Sequence, residues 1–128
     1  MPTRKFVAVD ANAKPWEEFT TERVKHTLYR KFLFSDPDTG ALFAIMRYPA
    51  GVINPSHTHP CGHGMYILEG RLVTHRGEFG PGTLVWFPEG EVMEHGATAE
   101  SDVVALFVTN KAFRIDYVDT PPQRGKAS

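Results

Sequence analysis

Cysteine is nearly absent: Cys61 is the single one in 128 residues. An internal disulfide is impossible, which excludes a small disulfide-stapled scaffold and suits a reducing cytoplasm. Long apolar runs are also missing. The longest are six residues each, Ala41–Met46 and Val103–Val108, far short of the ~20 that a membrane-spanning helix needs. The basic start MPTRKFVAVD offers only four consecutive apolar residues before Asp10, too few for a secretory signal. Neither charge sign is in surplus, since 14 Lys and Arg stand against 15 Asp and Glu. No like-charged block exceeds two residues, so no nucleic acid and no anionic membrane are expected as partners. Between Gly40 and Gly96 no stretch of 12 residues is free of Gly and Pro, which excludes a long helix there.

What is present is dense punctuation, 11 Gly and 10 Pro, with short apolar pieces between. That pattern predicts strands and tight turns. Strands are expected over Val24–Phe34, Ala41–Tyr48, Met65–Leu68, Leu72–His75, Thr83–Phe87, Val103–Thr109 and Phe113–Val118. Hairpin turns are expected at Glu69-Gly70 and near Arg76-Gly77. A single helical turn is expected at Pro15–Phe19, where Pro suits a first turn. About ten short strands without a long helix imply an all-β sandwich or barrel of one domain. The expected division is an N-terminal arm over 1–22, the β-barrel over 23–118, and a flexible tail over 119–128, rich in Pro, Gly and charge.

Histidine is the second feature: there are six, and five fall within the 39 residues from His57 to His95. On a strand, positions i and i+2 share a face, so His57 and His59 point into one space. Neutral imidazoles so placed can converge on one transition metal, at ~2.0–2.1 Å from zinc. His63 follows a Pro60-Cys61-Gly62 turn. His95 follows a second strand pair joined through Pro88-Glu89-Gly90.

These residues fall in a known arrangement. Gly51-x5-His57-x-His59-x3-His63-x6-Gly70 resembles the first motif of the cupin superfamily, with His63 at a position usually held by Glu. Gly82-x5-Pro88-x-Gly90-x4-His95 resembles the second, with two residues more than usual before the His and Ala99 where Asn often stands. The resemblance covers about residues 40–110. It implies a single-domain antiparallel β-barrel of jelly-roll type, a mononuclear metal near its centre, and a homodimer. His57, His59, His63 and His95 are the ligands it implies. All-histidine sites and single-domain layout are similar to the small β-diketone-cleaving dioxygenases, which use ferrous iron.

A dication held only by neutral imidazoles keeps its full charge and favours an anionic or enolisable substrate. Imidazole suits iron, zinc, nickel and copper alike; the resemblance to the diketone-cleaving dioxygenases makes iron(II) the expected metal, with zinc, nickel or manganese as alternatives. An octahedral shell of four histidines leaves two open positions; a tetrahedral one is closed and structural.

The remaining candidates each carry two readings. Arg47 either reaches into the barrel to hold an anionic substrate or makes a surface salt bridge. Glu94, with Glu89 and Glu91 near His95, is either a general base or part of a solvated loop. Cys61 is either a thiolate ligand or a small half-buried thiol. His26 and His75 are expected as surface or packing residues. Met65, Tyr66, Ile67, Trp86, Phe87 and Phe107 are expected to supply core and cavity wall. Arg47 and Glu94 are the candidate catalytic groups. The expected function is an iron(II) dioxygenase that cleaves a C–C bond in a small enolisable or aromatic compound. The alternatives are a non-redox metal cupin (isomerase, decarboxylase or cyclase) and a non-enzymatic metal- or ligand-binding module.

Overall fold

The structure is a computed structural model, and it describes residues 4–125. Its strands are β1 (Glu17–Phe19), β2 (Leu28–Ser35), β3 (Leu42–Tyr48), β4 (Ile53–Thr58), β5 (His63–Glu69), β6 (Leu72–Thr74), β7 (Gly77–Phe79), β8 (Leu84–Phe87), β9 (Met93–Ala97), β10 (Val103–Thr109) and β11 (Asp116–Tyr117). They form a six-stranded sheet, β1-β2-β3-β10-β5-β8, and a five-stranded sheet, β11-β4-β9-β6-β7. Every pairing is antiparallel. The all-β jelly roll is as expected, but the two sheets face each other without closing into one hydrogen-bonded barrel. Among the described residues, no helix is long and apolar enough to cross a membrane.

The turn at Glu69-Gly70 explains how the sheets are linked. It is not the expected hairpin, because β5 lies in one sheet and β6 in the other. Gly70 has φ +74°, and a Cβ there would sit 2.0 Å from the Asp102 carbonyl oxygen. Only glycine lets the chain pass so close to that backbone while changing sheets. The turn at Arg76-Gly77 is a hairpin as expected, with Thr74 opposite Gly77. The helical turn expected at Pro15–Phe19 is not formed. Glu17–Phe19 pairs instead with Leu28–Arg30, because edge pairing to a sheet satisfies more backbone than one isolated turn could. The helical turn found is a 3-10 turn at Ala11–Ala13, where the Asp10 side chain accepts from the Asn12 N–H.

Alternation decides which side chains enter the interior. On β10, Val103, Ala105, Phe107 and Thr109 are buried and the residues between them only half so. Ile67, Leu72, Met65, Met93 and Leu28 are fully buried. Each such side chain stabilises the fold by about 1.5–3 kcal/mol through burial. Met65, Ile67, Phe87 and Phe107 face inward as expected, but Tyr66 and Trp86 are 42% and 49% exposed. They take the outward parity, and Trp86 lies over Gly62, where a Cβ would meet its ring at 2.3 Å.

Candidate metal centre and adjoining cavity

The centre is built by an irregularity in β4. Asn54 pairs with His95, yet His57 pairs with Met93, so β4 holds one extra residue between them. Pro55 sits in this bulge, where its missing N–H costs no ladder bond. The extra residue changes the parity. Asn54 and His57 are three apart and would face opposite ways on a regular strand, but both are buried at 2% and 0% exposure. His59 then follows His57 on the same face, also buried. His95 enters from β9 directly across from Asn54. His63 opens β5, between Thr109 on β10 and Phe87 on β8.

The rings gather closely. The His57 centroid lies 4.8 Å from that of His59 and 5.0 Å from that of His95. The His63 ring lies 5.1 Å from His59 and 5.6 Å from His95. His57, His59 and His95 each offer a ring nitrogen within 4.8 Å of the others. Two of these rings are oriented by backbone carbonyls: His57 Nδ1 meets Pro55 O at 2.6 Å and His59 Nδ1 meets Arg114 O at 2.7 Å. Carbonyls only accept, so Nδ1 carries the proton and Nε2 keeps its lone pair in each ring.

Those lone pairs have no protein partner. Nε2 of His57 and His59, and both ring nitrogens of His63 and His95, are buried without a hydrogen bond. Leaving a buried polar atom unpaired costs about 1–3 kcal/mol each. Burial holds the rings neutral. It lowers His57 from 6.5 to about 4, against the opposing pull of the Pro55 carbonyl. It lowers His59 likewise, against the Arg114 carbonyl. His63 and His95 fall well below the ordinary range through burial and then through their imidazole neighbours. Neutral imidazoles with free lone pairs facing one another are the donor set a divalent transition metal takes. The cluster of His57, His59 and His95 could therefore bind a metal.

A cavity of about 390 Å³ adjoins the centre and has His59 and His95 in its lining. Met46, Phe107 and Phe113 give it an apolar wall, and Tyr48, Asn54 and Tyr117 add polar groups. Burial pushes the Tyr48 phenol well above its ordinary value and raises Tyr117 less. Arg30 also lines the cavity, its guanidinium 4.2 Å and 4.7 Å from the ring centroids of Phe19 and Phe32 and bonded to Glu17.

The sequence candidates separate into two groups. His57, His59, His63 and His95 come together. Arg47 and Glu94 do not join them. Arg47 takes the outward parity of β3, pairs with Asp102 at 2.6 Å and lies 5.4 Å from the Tyr29 ring centroid, away from the cavity lining. Glu94 points from β9 to Arg124. Glu89 pairs with Lys111, and Glu91 approaches His75. His75 packs against Phe87 and accepts from the Glu94 N–H, while His26 is exposed. Cys61 is fully buried rather than half-buried, and burial raises its thiol pKa. Sequence reasoning missed Tyr48, Asn54 and Tyr117. Tyr48 shares its parity with Ala44 and Met46, and Pro55 is the one local sign of the bulge that turns Asn54 inward.

A two-sheet jelly roll with imidazoles gathered inside it defines a cupin. More narrowly, the chain belongs to the ChrR cupin-like domain family, whose profile matches residues 4–114. No curated protein matches it significantly. Among solved structures it resembles the polyketide cyclase RemF from Streptomyces resistomycificus, with 22% identity, TM-score 0.74, and coverage of 91% of this chain and 87% of that one. It resembles a predicted oxalate decarboxylase from Thermotoga maritima, with 23% identity, TM-score 0.70, and coverage of 87% and 99%. It also resembles the anti-sigma ChrR, solved with SigE of Rhodobacter sphaeroides, with 17% identity, TM-score 0.64, and coverage of 78% and 51%. At these identities the likeness shows the fold.

Proposed function

We propose that the protein is a metal-dependent cupin enzyme acting on a small, mainly apolar compound that carries an enolisable, carboxylate or phenolate oxygen. The observation that carries this reading is a shared wall: His59 and His95 belong both to the imidazole cluster and to the cavity lining. A sealed structural site would have no such opening. His57, His59 and His95 would hold one metal, with His63 as a fourth ligand, and iron(II) is the metal of this proposal. When bound, such a metal supplies Lewis acidity and, as iron(II), dioxygen chemistry leading to C–C cleavage.

The chain's own groups do the rest. The carbonyls of Pro55 and Arg114 fix the His57 and His59 rings, so their Nε2 atoms stay aimed inward. Met46, Phe107 and Phe113 exclude water and hold the apolar part of the substrate. The test is dioxygen uptake by the iron-reconstituted protein against a panel of β-diketones and phenols. Metal-dependent uptake supports the dioxygenase, and silence across the panel overturns it.

A second reading, Lewis-acid cyclisation or decarboxylation with a redox-inert metal, is favoured by the hydrogen-bonded Tyr117, Asn54 and Tyr48 in the cavity. Stoichiometric zinc in the protein as purified from cells supports it. Conversion of no substrate by either metal form moves the protein to a ligand-binding module. The proposed homodimer is supported by the outward apolar residues Tyr66, Leu68, Leu84 and Trp86 on β5 and β8, and sedimentation velocity tests it.

A further inference from the structure

A directional hydrogen-bond chain ends at Tyr48. The Val24 N–H donates to Thr21 Oγ1 at 3.2 Å. The Thr21 and Tyr117 hydroxyls lie 2.5 Å apart. Tyr117 spends its proton on Asn54 Oδ1, at 2.6 Å, so Thr21 is the donor in the bond between the hydroxyls. Asn54 Nδ2 then donates to the Tyr48 hydroxyl oxygen at 3.3 Å. Every donor in the series points the same way, and each bond polarises the next.

The last proton has nowhere to go within the protein. The Tyr48 hydroxyl accepts from Asn54 and meets no acceptor among the described residues. Tyr48 is 3% exposed and lines the cavity, with its ring centroid 5.6 Å from that of His95. A buried donor left without an acceptor costs about 1–3 kcal/mol. The cost disappears if a ligand oxygen completes the chain.

We propose that Tyr48 is the cavity's ligand-binding donor, holding an enolate, carboxylate or carbonyl oxygen, with Asn54 and Tyr117 as positioning residues. The inference rests on the reading of the cavity as a substrate site. The Tyr48 oxygen already accepts from Asn54, so its hydroxyl turns its proton toward the cavity and serves as a donor. The preferred ligand is therefore an acceptor-bearing molecule with an apolar body, and a pure hydrocarbon of the same size gains nothing from Tyr48.

Two probes separate these terms. Benzoylacetone has an acceptor enol and a phenyl body, and naphthalene has a body only. Binding of each to the full-length zinc-loaded protein is measured by titration calorimetry, for the wild type, Tyr48→Phe, Tyr117→Phe and the double variant. Tyr48→Phe keeps the ring and removes only the hydroxyl. It should weaken benzoylacetone about tenfold, as expected for one hydrogen bond to a charged or polar oxygen, and leave naphthalene unchanged. Tyr117→Phe should weaken benzoylacetone by about threefold, and that loss should vanish in the Tyr48→Phe background, since it acts through Tyr48. Equal benzoylacetone affinity in the wild type and Tyr48→Phe overturns the proposal. A parallel loss of both probes also overturns it, because the role is then packing. A wild type that binds naphthalene alone overturns the donor but keeps the cavity. A wild type that binds neither overturns the substrate-site reading and this proposal with it.

Discussion

Strand β5 carries Ile67 and His63 on one inward face, both fully buried, yet they belong to unlike regions. Ile67, Leu72 and Val103 pack with apolar side chains, and nothing in that region asks for a partner. His57, His59, His63 and His95 are packed as tightly and leave six ring nitrogens unpaired. The first region gains stability from being dry and filled. The second is costly in itself, since four neutral imidazoles have been removed from water and only Nδ1 of His57 and of His59 has gained a protein partner. The contrast separates what folds the chain from what the fold holds ready. The apolar region needs no ligand to be stable, while the imidazole region presents a donor set that could bind a metal.

Truncating the apolar region should give the largest effect. Ile67→Ala should cost about 2–5 kcal/mol in urea unfolding, and the folded fraction should keep its full metal content. Loss of metal in a variant that is still folded would break the separation between the two regions.

Acid should act on the other region. The unfolded chain takes up protons at His57 near pH 6.5, and the folded chain refuses them until about pH 4. Between those values the unfolded state binds more protons, so stability falls as pH falls. The His57 contribution levels off about one pH unit above 6.5, and below that it accounts for about 3 kcal/mol of decline at one to two kcal/mol per pH unit. Urea unfolding of metal-free protein from pH 8 to 4 checks the window. A flat profile would mean the cluster is not buried as described.

Gly96→Ala joins the two regions. A Cβ at Gly96 would meet the Val52 carbonyl oxygen at 2.2 Å, and backbone cannot yield cheaply. The variant should lose about 1–3 kcal/mol, and because Gly96 adjoins His95 it should also bind metal more weakly, read by competition with a chromophoric chelator. The smallest effect belongs to Arg47→Ala. Its ion pair with Asp102 is partly exposed, and such pairs contribute at most about 1 kcal/mol. Metal content and probe binding should not change.

The same contrast explains what was legible in the sequence. The strand content followed from Gly and Pro spacing, because punctuation acts locally. The histidines were legible because His57 and His59 share strand parity and the surrounding glycines fit a motif. Arg47 was not legible. Its parity with Phe43 and Ile45 was visible, but nothing local says which face of β3 looks inward, and Asp102, its partner, lies 55 positions away. Glu94 was drawn in by its neighbour His95, although adjacent strand residues face opposite ways. Tyr48, Asn54 and Tyr117 stayed hidden because the Tyr117–Asn54 bond spans 63 positions and the inward turn of Asn54 depends on the bulge at Pro55. The turn at Glu69-Gly70 read as a hairpin because a glycine turn looks the same whether its strands pair or change sheets.

The central claim, that the buried imidazoles are a metal centre, is tested most directly by elemental analysis of untagged protein, wild type and His57→Ala, with circular dichroism to confirm that both are folded. The account predicts close to one transition-metal ion per chain in the wild type and a loss of it in the variant, with the β-sheet spectrum unchanged. A folded wild type that carries no metal and takes up none on dialysis against iron(II), zinc or nickel would contradict it.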